Sequence, residues 1–239
     1  RRRRQQIVTD HFTEIYEKHG DRYHQLIAAE DFEGNLLTTL KQIVAFEGKR
    51  IVDLGSGTGR IPLLLKDVNC QIVAIDLYAD MLREQKRQRS AVNSDWELFQ
   101  ADLRQMPLPS NWADVVTAGW AIGHFTGWYG DSWQPEVNRA LQEMLRLAKP
   151  DGTLIILETM GTGSEQAAPP APGLADYFAW LEAQGFARQV VSTDYDFGSV
   201  ERAVDLCGFF FGNEMAEKIR GQGWTRVPEW TGIWSKTLN

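Results

Sequence analysis

The chain has little cysteine and no long apolar run. Cys70 and Cys207 are its two cysteines, and neither belongs to a C-x-x-C pair. This argues against a disulfide framework or a cysteine-based metal site and fits a reducing cytoplasm. No apolar run reaches the roughly 20 residues that span a bilayer, and no apolar segment follows the arginines at the start. We therefore expect neither a membrane span nor a secretory leader.

Positive charge is also in short supply. The formal net charge is −7, so the chain as a whole offers no general electrostatic attraction to nucleic acid. The arginines at positions 1–4 are a local exception, which we interpret as a solvated end rather than a nucleic-acid-binding arm. Hydrophobic residues make up 43% of the 239 residues, an ordinary fraction for a globular protein.

The order of the predicted elements favours a single α/β domain. Residues 5–46 read as a helical cap that Gly20 and Gly34 interrupt. Strands and helices alternate from 50 to 157, as in a doubly wound parallel sheet, with a helix over 135–148 that proline bounds at both ends. Segment 159–174 is rich in glycine, alanine and proline and predicts a long loop, which is commonly functional. Helices over 175–184 and 200–220 and strands over 186–195 and 224–236 complete the domain.

The most informative motif follows the first predicted strand, Arg50 to Leu54. The loop after it reads G-x-G-x-G, with Arg60 where a dinucleotide-binding loop places its third glycine. Glycine lets a ligand lie directly against the loop backbone, and the free N–H groups of the following helix can bind polar ligand groups. Asp53, at the strand end, suits a ligand that carries an ammonium group better than a pyrophosphate.

Acidic residues close the next two predicted strands. Asp76 ends the strand that begins at Gln71, where a carboxylate can accept hydrogen bonds from two ribose hydroxyls. Asp102 follows the strand from Trp96 to Gln100 and can accept from an exocyclic amine such as that of adenine, although an acid there also suits a helix N-cap. A fourth strand, over 114–118, and a fifth, over 153–157, lie farther along the chain.

Four segments in this order resemble the class I S-adenosylmethionine-dependent methyltransferases that act on small molecules. They are Val-Asp-Leu-Gly-Ser-Gly-Thr-Gly at 52–59, Ile-Asp-Leu-Tyr-Ala-Asp-Met-Leu at 75–82, Ala-Asp-Leu at 101–103 and Leu-Ala-Lys-Pro-Asp-Gly-Thr-Leu at 147–154. The resemblance covers roughly residues 20–160. It implies a Rossmann-like, doubly wound seven-stranded sheet, mostly parallel with the last strand antiparallel, helices on both faces, and methyl transfer from S-adenosylmethionine.

The resemblance and the motifs together predict a cofactor site. In the resembled family, main-chain groups after the fourth strand contact the methionine part of the cofactor, and an N-terminal tyrosine lies over it. The predicted cofactor-binding residues are Tyr23, Asp53, Gly55, Ser56, Gly57, Thr58, Gly59, Asp76, Leu77, Met81, Asp102, Leu103, Gly119 and Trp120. Met81 and Tyr23 also fit a plain packing role, because methionine fills core gaps and helices carry packed aromatics.

The methyl acceptor is expected to be a small organic molecule. His124 is a candidate general base, although it could equally be a structural histidine that bonds a nearby carbonyl. Trp128 and Tyr129 could line an apolar acceptor pocket or belong to the core. We expect the N-terminal helices and loop 159–174, the latter beside a C-terminal part over 161–239, to close over this pocket, and we see no carboxylate cluster for a metal.

Three functional interpretations stay open on the sequence. The first is the small-molecule methyltransferase. The second is a non-catalytic protein that binds the same cofactor and regulates a partner. The third is an NAD(P)-dependent oxidoreductase, which Arg60 in place of the third glycine disfavours.

Overall fold

A computed structural model describes residues 10–239, so the arginines at 1–4 and the first residues of the predicted helical cap lie outside the described part. The helices are α1 His11–Lys18, α2 Gly20–Ala28, α3 Asn35–Ile43, α4 Arg60–Leu64, α5 Ala79–Ala91, α6 His124–Trp128, α7 Trp133–Leu147, α8 Pro172–Ala183, α9 Val200–Phe211 and α10 Asn213–Gln222, with a 3₁₀ turn at Gly130–Ser132. The strands are β1 Arg50–Leu54, β2 Gln71–Asp76, β3 Glu97–Gln100, β4 Ala113–Gly119, β5 Ala148–Thr162, β6 Ala187–Ser192, β7 Tyr195–Asp196, β8 Arg226–Val227 and β9 Glu229–Thr237.

Seven strands form one twisted sheet in the order β3-β2-β1-β4-β5-β9-β6. Strands β1 to β5 run parallel, while β9 is antiparallel to both of its neighbours, β5 and β6. The predicted fold class, a mostly parallel seven-stranded sheet whose last strand is antiparallel, is confirmed. The strand order reverses between β1 and β4, and ligands of open α/β sheets bind beside the carboxyl ends of the strands at such a point.

The central strands are buried on both faces. Ile51, Val52 and Leu54 of β1 are fully shielded from solvent, as expected for a parallel strand with helices on either side. One face packs against α7 and α8, where Leu141 and Phe178 belong to the core, and the other face carries α3 and α4. The two layers of helices, packed on opposite faces of the sheet, fix the position of the loops at the carboxyl edge.

Several predicted boundaries were wrong in the middle of the chain, among them the start of the fifth strand, which is Ala148 rather than Thr153. Helix α7 begins at Trp133, so Pro135 lies inside the first turn rather than at the boundary; a missing N–H costs nothing there because first-turn N–H groups have no partner within the helix. Strand β5 extends to Thr162, where its register with β9 still pairs Thr162 with Glu229. The loop predicted over 159–174 is therefore shorter.

Three predicted C-terminal elements are each divided in two. Gly212, with φ 97°, separates α9 from α10. Pro228, which has no N–H to donate to a ladder, separates β8 from β9, and Thr193 and Asp194 separate β6 from β7. Strands β7 and β8 pair with each other in a small second sheet that the sequence analysis did not predict. No helix in residues 10–239 combines the length and the apolar character needed to cross a bilayer.

Candidate functional site

A cavity of about 790 Å³ opens at the carboxyl edge of the sheet, beside β1, β2 and β4. The loop after β1 forms its floor, and Gly55 and Gly57 there have φ angles of 63° and 56°. A Cβ on Gly55 would lie 2.5 Å from the Cβ of Ala121, so this position requires glycine. A Cβ on Gly57 would have Tyr23 as its neighbour at 3.7 Å, so the loop backbone lies open to the cavity beneath the Tyr23 ring.

Asp53 carries an unusual carboxylate at the end of β1. Its side chain is buried, the Thr117 hydroxyl donates to Oδ1 at 2.6 Å, and Oδ2 has no hydrogen-bond partner among the described residues. Burial raises the pKa of Asp53 to about 7, against the effect of the Thr117 bond. A buried carboxylate oxygen without a partner is costly, so a ligand cation in the cavity would complete this site.

Asp76 lies opposite, at the end of β2. The backbone N–H of Gly57 donates to Oδ2 at 2.8 Å, and that of Tyr78 donates to Oδ1 at 2.9 Å. Burial raises the pKa of Asp76 to about 6 even though these bonds favour the carboxylate. The bond from Gly57 holds the glycine loop in place. Each oxygen of Asp76 keeps a second lone pair, so the carboxylate can still accept hydrogen bonds from two hydroxyl groups. Leu77, 46% exposed, and Met81, 1% exposed, lie along the same wall.

Asp102 was expected to accept a hydrogen bond from an exocyclic amine, but its carboxylate already has a partner in the protein. Arg104 donates to both of its oxygens, at 2.9 Å from Nε and 2.6 Å from Nη2. Burial alone would raise the pKa of Asp102, but the guanidinium and the backbone N–H of Arg104 lower it below its ordinary value. Asp102 and Leu103 both line the cavity, but the Asp102 carboxylate is already held in an ion pair that the sequence analysis missed.

Gly119 and Trp120 follow β4, as predicted, and both line the cavity. Trp120 adopts a left-handed backbone conformation with φ 51°, which is uncommon for a bulky residue and costs free energy that its surroundings must offset. The Arg60 guanidinium stacks 3.4 Å from the centre of its ring, and Arg60 is itself ion-paired with the buried Glu30 of the cap. Arg60 therefore holds Trp120 in place, a role that the loop motif alone did not indicate.

His124 begins α6 and faces the first helix. Its Nε2 lies 2.9 Å from the hydroxyl oxygen of Tyr16, and the Trp128 ring stacks on it at 5.0 Å between ring centres. Burial lowers the pKa of His124 to about 4, so its imidazole is neutral at pH 7. The indole N–H of Trp128 donates to Asp10 at 2.7 Å. Tyr129 accepts a 2.6 Å bond from Arg104.

The cavity contains all but one of the residues predicted for the site. The exception is Gly59, which caps α4 and packs against Gln85 instead of lining the cavity. Loop 159–174 also lines none of it, because β5 carries the first residues of that segment into the sheet and α8 takes up the last. Helix α1, one of the N-terminal helices that were also expected to cap the pocket, lines the cavity through Thr13 and Tyr16.

The wall residues that were not predicted for the site include Asp10, Tyr16, Arg104 and Glu136. Phe12 and Tyr16 are one turn apart on α1, and that spacing was the available signal for a shared face. Nothing local indicated that this face lies against His124, which is 108 residues away along the chain.

Comparisons with known proteins agree with this geometry. Residues 52–156 match a family model described as a methyltransferase domain. The chain is 33% identical over 105 residues to the malonyl-[acyl-carrier protein] O-methyltransferase of Enterobacter lignolyticus, covering 44% of this chain and 37% of that protein. It is 30% identical over 112 residues to the demethylmenaquinone methyltransferase of Thermus thermophilus, covering 46% and 47%. The chain thus spans half or less of the length of these two relatives.

A solved structure shows the same fold over nearly the whole chain. An S-adenosylmethionine-dependent methyltransferase from Aquifex aeolicus superposes with a TM-score of 0.56 at 19% identity, covering 92% of this chain and 98% of that one. The shared fold places the G-x-G-x-G loop, Asp53 and Asp76 at the edge of the sheet where the cavity lies.

Proposed function

The chain belongs to the class I S-adenosylmethionine-dependent methyltransferases, and we propose that it transfers the methyl group of this cofactor to a small organic acceptor. The observation that carries the proposal is Asp53, which lines the cavity and whose buried Oδ2 has no hydrogen-bond partner among the described residues. The ammonium group of the cofactor's methionine part matches that carboxylate in charge and hydrogen bonding. An NAD(P) pyrophosphate in its place would meet a buried negative charge.

The residues of the β1 and β2 ends fit this cofactor. Asp53 would hold the ammonium group, Asp76 would accept from the two ribose hydroxyls, and the open backbone at Gly57 would lie beneath the ligand. Leu77 and Met81 would flank the adenine ring, with Tyr23 above the loop. The bound cofactor supplies an electrophilic methyl group on a sulfonium. Positioning the acceptor in line with that carbon can account for much of the rate.

Tyr16 and His124 are placed to receive a proton from the acceptor. As an acceptor oxygen bonds to the methyl carbon, its O–H proton can pass to the Tyr16 hydroxyl while the Tyr16 proton passes to His124 Nε2. His124 would then carry the proton as an imidazolium and later release it to water. A base of low pKa suffices here, because an oxygen that gains a methyl group becomes strongly acidic as the bond forms.

The names of the relatives suggest two kinds of acceptor, a malonyl group on acyl-carrier protein and demethylmenaquinone. Either is compatible with a small-molecule methyltransferase, and the charge of the cavity bears on the choice between them.

We also infer a cytoplasmic location, since both cysteines are free thiols.

Calorimetry with S-adenosylhomocysteine tests the proposal directly. The wild-type protein should bind S-adenosylhomocysteine and not NAD. Asp76→Ala should weaken binding by about 3–6 kcal/mol, the sum of two hydrogen bonds to a charged group. Asp95→Ala, which removes an exposed carboxylate, is the matched control and should bind as the wild type does. A folded Asp76→Ala protein with unchanged affinity would remove Asp76 from the site. Binding without turnover over a panel of acceptors would favour the non-catalytic alternative.

A further inference from the structure

Beyond the cofactor residues the cavity continues into a second half, which we call the acceptor chamber. Its walls include Asp10, Tyr16, Arg104, His124, Trp128 and Glu136. Helix α1 and its cap supply the first two, α6 and α7 supply three more, and Arg104 comes from the loop after β3. None of these six residues is among those predicted to bind the cofactor, so we assign them to the acceptor, and their charges then decide which acceptors are admitted.

Arg104 is the cation of this chamber, and its charge is already compensated. It donates to both oxygens of Asp102, and its Nη1 donates to Glu136 Oε2 and to the Tyr129 hydroxyl, each at 2.6 Å. Arg139 also contacts Glu136, at 3.3 Å, but it is largely exposed and does not line the cavity. One half-buried guanidinium thus faces two carboxylates, which together compensate its charge before any acceptor binds.

The remaining titratable walls add no positive charge. Asp10 accepts from the indole N–H of Trp128 and from the backbone N–H of Thr13. Burial alone would raise the pKa of Asp10, but these bonds lower it, so it is ionised at pH 7. His124 lies among the rings of Phe12, Tyr16 and Trp128 and bonds to the uncharged Tyr16 hydroxyl. Among residues 10–239 the chamber walls present one positive charge, Arg104, and two negative charges, Asp10 and Glu136, and Asp102, which lines the cavity beside Arg104, adds a third negative charge. Arg60, on the cofactor side, is paired with Glu30.

Resting on the methyl transfer proposed above, we propose that the acceptor chamber selects an uncharged aromatic alcohol and rejects acceptors that carry a carboxylate or phosphate. An anionic group would lose its hydration and lie beside carboxylates without gaining an unpaired cation, which is unfavourable. The sulfonium of the cofactor adds one positive charge, which leaves the chamber with a negative excess. An aromatic ring can instead pack against Trp128, and its hydroxyl can bond to Tyr16.

A cationic acceptor is disfavoured for two separate reasons. Its ammonium nitrogen has no lone pair with which to attack a methyl group. It would also lie close to the sulfonium, and two like charges at short range repel one another. The negative excess of the walls therefore does not make the chamber an ammonium site for the reaction.

Glu136 is the wall residue that sets the charge selection, because it pairs with Arg104, which would otherwise be free to pair with an anionic acceptor.

The test compares 1-naphthol with 1-naphthoate, which share a ring system and differ in charge. Calorimetric titration of each into protein saturated with S-adenosylhomocysteine measures binding without turnover. We expect 1-naphthol to bind at least tenfold more tightly than 1-naphthoate. Glu136→Gln should reduce this ratio at least threefold by strengthening 1-naphthoate binding. Glu143→Gln is the matched control, since Glu143 lies two turns farther along α7, outside the cavity, and pairs with Arg146; it should keep the wild-type ratio.

Each outcome decides between the two proposals. Equal or tighter binding of 1-naphthoate to the wild-type protein overturns the charge selection, as does a ratio that stays unchanged in Glu136→Gln. Failure of both naphthalenes to bind while S-adenosylhomocysteine binds also overturns the acceptor class and leaves the cofactor site intact. Failure of S-adenosylhomocysteine itself to bind overturns the proposed function, and the acceptor class falls with it.

Discussion

Acidification should weaken binding of S-adenosylhomocysteine mainly through one carboxylate, Asp53. Its pKa in the free protein is about 7, because burial disfavours the charged form and one oxygen has no partner. A bound ammonium group favours the carboxylate, so the pKa of Asp53 falls when the ligand binds. The ligand must therefore displace a proton from Asp53 below pH 7, whereas above pH 7 the carboxylate is already ionised. Affinity is full at high pH and is lost as the pH falls.

The magnitude follows from the pKa of Asp53. The ionised fraction falls about tenfold between pH 8 and pH 6 for a group that titrates near 7, which corresponds to about 1.4 kcal/mol of binding free energy. Titration calorimetry at both pH values, in two buffers with different ionisation enthalpies, measures the affinity and the number of protons released. Asp53→Asn should bind weakly at both pH values and should lose this dependence.

The control and the refuting results are equally specific. Asp95→Asn removes a carboxylate from the surface and should keep the wild-type pH profile. Asp76, whose pKa is about 6, contributes at the acidic end, so Asp53→Asn should retain a small residual slope below pH 6. A wild-type affinity that is the same at pH 6 and pH 8, or an equally steep profile in Asp53→Asn, would show that Asp53 does not hold the ammonium group.

Three further predictions concern two residues of the cavity and one buried carboxyl in β5. Gly57→Val places a branched side chain between the loop and Tyr23, and calorimetry should show loss of S-adenosylhomocysteine binding while circular dichroism shows a retained fold. Burial raises the pKa of Glu158 to about 8, so the folded wild-type protein loses stability as the pH rises from the ordinary carboxyl range through 8. Glu158→Gln stays neutral at every pH and should therefore melt at a higher temperature than the wild type at about pH 9. Tyr16→Phe should lower kcat by about 10²-fold with little change in cofactor affinity, and an unchanged pH profile of kcat would contradict the proton path to His124.

The cofactor half of the cavity was predictable because its residues are local in sequence. Asp53 and Gly57 belong to one strand–loop unit, and Asp76 ends the adjacent parallel strand, so strand alternation alone brings them to one edge of the sheet. The order of the four motifs supplied the sheet topology as well. The direction of β9 followed from the family resemblance rather than from its own residues.

The acceptor half was not predictable for the opposite reason. Tyr16 meets His124, and Asp10 meets Trp128, over more than a hundred residues of chain, and no short-range pattern encodes such contacts. The assignment of loop 159–174 to the pocket failed because glycine and proline indicate a loop without indicating what it covers. The ion pair of Arg104 with Glu136 could not be predicted either, because Glu136 lies on a different element and no short-range pattern joins the two residues.

Helix α1 links the shape of the chamber to the order of the N-terminal part of the chain. With eight residues it is too short to be a stable helix alone, so it depends on packing against α5 and on the bonds of Asp10 and Tyr16 to the α6 residues. A molecule that fills the chamber adds contacts to this marginal helix and stabilises the ordered state by mass action. Occupancy and helix formation are thus linked equilibria, and slower amide exchange in α1 would report an occupied chamber from outside it.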